Sequence, residues 1–190
     1  MNLFILSLIH KECAEWMFDK HISKMIIEAV QMLSTGKRLL DPDDVEKKGL
    51  DIYKIGHKNH PTTIWIRTSL DNYIWTLLMV EAMHNEWKYR YGHPPEKMHA
   101  SYLVAITLAR NLPRKDQFHM SGLTPFALAM PPQYKPTEYT SHQDAVEAYR
   151  RYYQSPDKQR FATWKNREKP EWYVYENNKR STPVRTQNTR

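Results

Sequence analysis

The stretch "FDKHISKMIIEAVQML", residues 18–33, decides the fold class. On a wheel of about 100° per residue with His21 at zero, Glu28 falls near −20°, Lys24 near −60°, Gln31 near −80° and Lys20 near −100°. Ile22, Met25, Ile26, Ala29, Met32 and Leu33 spread over roughly +20° to +140°. That is one apolar face of a helix, not the alternation of a strand. The polar residues form a contiguous stripe along its edge. An edge stripe is half-buried, where pKa values shift and where a cleft wall belongs. Against this stands a plain reading: Lys24 and Glu28 are an i,i+4 pair, common on solvated helices.

Outward from this stretch the same period recurs. A helix is expected from Glu12 to Ser34 with Gly36 as its stop. "DPDDVEKKGLD" reads as a polar surface connection. Thr62 to Tyr91 is helical by spacing, with Asp71 as a second start that makes it two helices with a bend. Gly92 and "HPP" end it, and Glu96 to Asn111 gives a further helix closed by Pro113. In "GLTPFALAMPP", Thr124 as N-cap, Pro125 at the first helical position and Pro131-Pro132 as a stop predict one short buried helix. Ser141 and Asp144 have capping-box spacing at the head of a helix running to about Gln154, and "DKQRFATWKNR" adds another turn or two. No repeat and no run of alternating strands is found. The expected fold is all-α, a single-domain bundle of about five or six helices over residues 1–176 with a short strand or extended segment at the N-terminus. Residues 177–190 are expected to form a disordered basic tail.

Composition restricts the function. Hydrophobic residues at 41% and charged residues at 26% fit a globular chain. A net charge of +7, with 12 Tyr and 6 Trp, favours a polyanionic partner. The lone Cys13 excludes an internal disulfide framework, fits a reducing cytoplasm and reads as a buried thiol. "MNLFILSLI" is too short for a membrane span and lacks the basic lead of a signal peptide, so a soluble cytoplasmic protein is expected.

Three constellations carry candidate chemistry. Lys20, His21, Lys24 and Glu28 are the candidate catalytic groups, with Gln31 continuing their stripe toward the substrate. In "HKNHP", two His three apart lack the Cys or carboxylate companions of a zinc signature, so no metal or other cofactor is expected. Asn59 and His60 instead sit on a rigid turn before Pro61, offering hydrogen bonds to backbone or to substrate. In the last third, cations interleave with rings. Arg150, Arg151, Trp164 and Lys165, joined by Arg67, are the candidate nucleic-acid contacts, since cations neutralise phosphates and rings stack on unpaired bases. The alternative is that those rings are core and the arginines merely solvate the surface.

The order "MNLFILSLIHKECAEW…KHISKMIIEAVQML…GHKNHPTTIWIR…NEWKYRYG…KPEWYVY" resembles the phage and bacterial pyrimidine-dimer DNA glycosylases, the small UV-repair enzymes of the phage endonuclease V type. The likeness covers the first half of the chain plus residues 170–175. Residues 121–151 resemble a set of uncharacterised phage proteins instead. The family likeness implies an all-α fold, a DNA partner with a flipped or kinked base, and excision of a damaged pyrimidine by attack of the chain's terminal amine on the sugar C1′. A terminal amine suits that task, its ordinary pKa of about 7.7–8.0 leaving much of it unprotonated at neutral pH. A glutamate on the first helix would move protons and stabilise the cationic intermediate. Two positions depart from the pattern. Asn2 stands where the family has its Thr nucleophile, exposed there by loss of Met1. Ungapped matching puts Met25 at the family's Glu and Lys24 at the preceding Arg, leaving Glu28 one turn later as a substitute. Lys20 or Lys24 is the fallback amine. A non-catalytic nucleic-acid-binding protein and an enzyme acting on free pyrimidine nucleotides are the alternatives.

Overall fold

The computed structural model describes residues 1–174; the expected basic tail lies outside them. The described residues form eight α-helices: α1 His10–Glu15, α2 Asp19–Leu40, α3 Pro42–Lys47, α4 Pro61–Ile66, α5 Leu70–Tyr91, α6 Ala100–Arg110, α7 His142–Tyr153 and α8 Pro156–Gln159. Four of them are long, and there is no sheet among the described residues. The all-α expectation holds. Helix α2 is the centre, packed on α4, α5 and α6. No helix among the described residues is long and apolar enough to cross a membrane.

The helix expected from Glu12 to Ser34 is broken into α1 and α2 by a corner at residues 16–18. Arg90 causes the break. Its fully buried guanidinium pairs with Glu86 at 2.6 Å and Asp19 at 3.0 Å. It also donates to the carbonyls of Glu15 and Met17, each at 2.7 Å, groups that a continuous helix would have used internally. The corner aims the first nine residues back across α2.

Gly36 does not stop α2, which continues to Leu40. Here glycine serves close packing: a Cβ at this position would lie 3.5 Å from the Tyr73 ring and 3.7 Å from Ile66. The polar connection expected after it contains α3, opened by Pro42 at its first position.

"GLTPFALAMPP" is extended rather than helical. Side chains from three other elements hold its backbone groups. Asn72 accepts from Thr124 N at 3.0 Å, Tyr139 accepts from Phe126 N at 2.9 Å, and Tyr149 accepts from Ala129 N at 3.2 Å. Trp65 Nε1 donates to the Thr124 carbonyl at 3.3 Å. With its donors satisfied laterally, the segment gains nothing from a helical ladder.

Other expectations match the structure closely. The 62–91 region is two helices, although Ser69 rather than Asp71 caps the second, accepting from Asn72 N at 3.1 Å. The Ser141–Asp144 capping box is present, with Ser141 N donating to Asp144 at 2.6 Å. The N-terminal run is extended without a strand partner, buried over residues 2–7 and exposed at Leu8 and Ile9. Its backbone is held by Cys13 Sγ, which accepts from Leu6 N, and by Arg150 Nε, which donates to the Leu6 carbonyl at 2.9 Å. Tyr173 packs on Phe18 and Trp164 and anchors the end of the described chain.

Candidate active site

Where the N-terminal segment crosses α2, its first residues meet the polar stripe. Asn2 N donates to Glu28 Oε2 at 2.8 Å, and the terminal amine of Met1 lies 3.8 Å from the same oxygen. Lys24 approaches the other carboxylate oxygen at 3.5 Å. The Glu28 side chain is only 12% exposed, so water screens these interactions weakly. The carboxylate is therefore shared between one ammonium at the chain start and one on its own helix.

Residue 2 is fixed on every side. Asn2 Nδ2 donates to the Ala129 carbonyl at 2.8 Å. Its Oδ1 accepts from Leu3 N at 2.8 Å and from the Tyr149 hydroxyl at 3.3 Å. The non-helical "GLTPFALAMPP" segment thus supplies the wall that holds the N-terminus.

His60 fixes residue 1. Its Nδ1 accepts from Thr62 N at 3.2 Å and caps α4, while the ring also hydrogen-bonds the backbone of Met1. Burial holds the imidazole below its ordinary pKa, and the neighbouring amine and His57 push in the same direction against Glu28. The bonds offered by this turn go to backbone. A cavity of about 390 Å³ opens beside Met1, lined also by Gln31, Tyr53, Lys54, Gly56 and His57.

The polar stripe divides by depth. Gln31 is half-buried at the cavity, Glu28 is half-buried against Met1 and Asn2, and Lys20 and Lys24 are exposed. His21, by contrast, turns into the core. Its ring stacks on Phe4 at 4.7 Å. The Tyr153 hydroxyl accepts from Phe18 N, which leaves its own proton to donate to His21 Nδ1 at 2.6 Å. Desolvation, reinforced by Lys158, Lys24 and Lys20, lowers the His21 pKa to about 3. This imidazole is neutral at physiological pH and spans two aromatic residues rather than facing a groove. Asn59 is exposed on its turn.

The expected nucleic-acid contacts are spread out. Arg67 donates to the Lys58 carbonyl at 2.5 Å, bracing the His57–His60 turn. Arg150 is occupied internally, its guanidinium 4.8 Å from the Trp16 ring and 5.3 Å from that of Trp172. Arg151 is exposed on α7. Trp164 donates to the Trp16 carbonyl at 3.0 Å, and Lys165 N donates to Asp19 at 2.8 Å, so both sit at the α1–α2 corner. Lys24, Glu28, Gln31 and His60 come together around residue 1; the C-terminal cations do not join them as a group. Among the described residues no three His, Cys, Asp or Glu side chains gather as a metal site.

The profile of the pyrimidine dimer DNA glycosylase family matches residues 1–99, just over half of the chain. The chain belongs to this family. No curated protein and no solved structure matches it. The matched half ends at the threshold of α6, so it holds the whole Met1–Glu28–His60 arrangement but not the Ala129 and Tyr149 groups that lock Asn2.

Two parts of this site were beyond the sequence reading. Asn2 stood out only as a departure from the family's Thr, because nothing in the residue order shows that Ala129 and Tyr149 come to hold it. Lys158 lies in a charged stretch that reads as solvated surface, yet it stands over Phe4 and Tyr152 beside the site.

Proposed function

We propose that this protein is a DNA glycosylase that removes a damaged pyrimidine, a pyrimidine dimer first among the candidates, with the amine at residue 1 as nucleophile and Glu28 as the acid–base group. The carrying observation is the placement of the Met1 amine and the Asn2 amide on one half-buried carboxylate beside an open cavity. Family membership supplies the substrate class.

In this reading the unprotonated amine attacks C1′ of the target deoxyribose. The N–C1′ bond forms as the glycosidic bond breaks, and the base leaves with that electron pair and takes up a proton. Glu28 accepts a proton from the attacking nitrogen and stabilises the iminium that follows opening of the sugar ring. His60 and Asn2 act through position: one holds the backbone of Met1, the other anchors the next residue, and the amine loses little freedom on reaching the reactive geometry. Gln31 lies where it can hydrogen-bond the extruded nucleotide, and Lys24 supports the charge of Glu28.

The test is reductive trapping. A duplex carrying one thymine cyclobutane dimer, or an abasic site, is incubated with the protein and borohydride, and the adduct is mapped by peptide mass. The expected result is a covalent complex attached at the residue-1 nitrogen. Where Met1 has been removed, the adduct falls on Asn2 N, already 2.8 Å from Glu28. Absence of both adduct and cleavage at the lesion on every such duplex overturns the reading.

A further inference from the structure

Lys158 on α8 is a half-buried cation with no acid partner. Its Nζ stands 5.1 Å from the Phe4 ring centroid and 5.0 Å from that of Tyr152, and it makes no ion pair among the described residues. The charged groups that face it are Lys24 and Arg160, which repel it, and Glu28 and Asp157, which attract it. Glu28 is already shared by the Met1 amine and Lys24. Nearby, Lys20 lies over the Phe161 ring at 4.3 Å and Arg160 over the same ring at 4.7 Å. Four cations thus line one edge of the site, with the two nearest carboxylates not enough to neutralise them. Burial of an unpaired ammonium costs free energy, and its pKa is lowered accordingly. An anion arriving between Lys158 and Lys24 would relieve that cost. Facing rings offer the ammonium a fixed seat, unlike the freely moving lysines of a solvated surface.

We infer that Lys158 is a positioning residue that, with Lys24 and Arg160, takes the DNA backbone phosphate flanking the nucleotide presented to the residue-1 amine. This rests on the proposed glycosylase reading. The phosphate would be a diester within a strand. Held there, it fixes the distance from the backbone to C1′ and so sets how far the target nucleotide must rotate out to meet the amine. Lys158 makes no bond to the reacting atoms.

The experiment measures binding of Lys158→Met and Lys158→Arg to a short duplex with one thymine dimer across a salt series. It is repeated with duplexes in which the phosphate on either side of the lesion is replaced by an uncharged methylphosphonate. Lys158→Met should raise Kd about tenfold and lower the slope of log Kd against log salt by about 0.9, the loss of one phosphate contact. Lys158→Arg should keep the wild-type values. One of the two methylphosphonates should weaken wild-type binding and leave Lys158→Met unaffected. If Lys158→Met fails to fold, Lys158→Gln carries the same comparison. A wild-type slope and Kd in the neutral variant, or a methylphosphonate penalty that persists in it at both linkages, overturns the inference. Duplex binding with the expected Lys158-dependent slope but no excision or trapping would instead overturn the glycosylase reading and leave the phosphate seat standing.

Discussion

The Asn2 amide and the Glu28 carboxylate are joined by a 2.8 Å hydrogen bond that ties the start of the chain to the middle of its central helix. In the sequence the two look unrelated, one a departure from the family's threonine and the other a residue one helical turn late. In the structure each accounts for the other. The wheel places Glu28 at the rim of the apolar face, and the corner enforced by Arg90 brings residues 1–9 across that rim. The asparagine side chain then binds Ala129 and Tyr149, groups outside the family-matched half. A carboxylate in this place is reached by the chain's first nitrogen whichever of residues 1 and 2 carries it.

Glu28→Gln should therefore separate chemistry from binding. The amide keeps the size of the carboxylate and can still accept from Asn2 N, so the fold and DNA affinity should change little. Loss of the proton acceptor and of the negative charge should lower single-turnover excision of a dimer by about 10²–10⁴-fold. Parallel measurement of excision rate and Kd checks this. Equal losses in both would mean that Glu28 serves binding alone.

The buried histidines predict an acid-labile fold. His21 is held neutral by burial and nearby lysines, with its pKa lowered to about 3, and His84, fully enclosed and stacked on Tyr102 at 3.9 Å, is lowered to about 4. In the unfolded chain both regain the ordinary value of about 6.5. Between those values the unfolded state binds more protons, so the stability contributed is complete above about pH 6.5 and falls as pH drops toward 4. Each histidine adds at most about 1.4 kcal/mol per pH unit to that slope. Urea unfolding between pH 7.5 and pH 5 should show it, and His21→Phe should flatten it by about one proton. A slope unchanged in His21→Phe would show that this imidazole is protonated in the folded state.

Gly36 illustrates what a sequence hides. Glycine after an apolar period reads as a helix stop, and the residue order offers no sign that Tyr73, 37 positions later, packs against it. Its backbone is helical, and a Cβ would make ordinary contact at 3.5 Å. Gly36→Ala should consequently stabilise the protein by about 0.5–1 kcal/mol through backbone entropy. Gly36→Leu should destabilise it by about 1–3 kcal/mol, because the Tyr73 ring is fully buried and cannot yield. Thermal melts of the two variants should shift in opposite directions. Destabilisation by alanine would restore the reading of Gly36 as a conformational break.

Local signals were legible where local energetics decided. The Ser141–Asp144 box, the two-helix reading of 62–91 and the apolar face of α2 all depend on residues within a few positions of one another. The polar stripe of α2 was legible as a stripe, but depth along it was not. His21 and Glu28 sit about 20° apart on the wheel, yet one is core and the other meets the start of the chain, because Phe4 and Tyr153 arrive from elsewhere to enclose the imidazole. Arg150 and Trp164 read equally well as phosphate and base contacts. Their partners, the carbonyls of Leu6 and Trp16, lie more than a hundred positions away.

Asn72 carries another such relationship and gives the sharpest test of the fold. Fully buried on α5, its Nδ2 donates to the Trp65 carbonyl at 2.8 Å and to Thr124 Oγ1 at 2.7 Å, while its Oδ1 accepts from Thr124 N at 3.0 Å. These bonds hold the start of "GLTPFALAMPP" extended against its own helical signals, and that segment carries the Ala129 carbonyl that binds Asn2. Asn72→Ala removes all three and leaves buried donors and acceptors unpaired, which should cost about 2–4 kcal/mol. Because the same segment carries the seat of residue 2, the folded fraction should also lose excision rate more than DNA affinity. Urea melts followed by tryptophan fluorescence, with excision assayed well below the unfolding midpoint, measure both effects. Full stability in Asn72→Ala would mean that residues 123–129 are extended for a reason intrinsic to their own sequence, and the tie from α5 through Thr124 to the N-terminal site would fail with it.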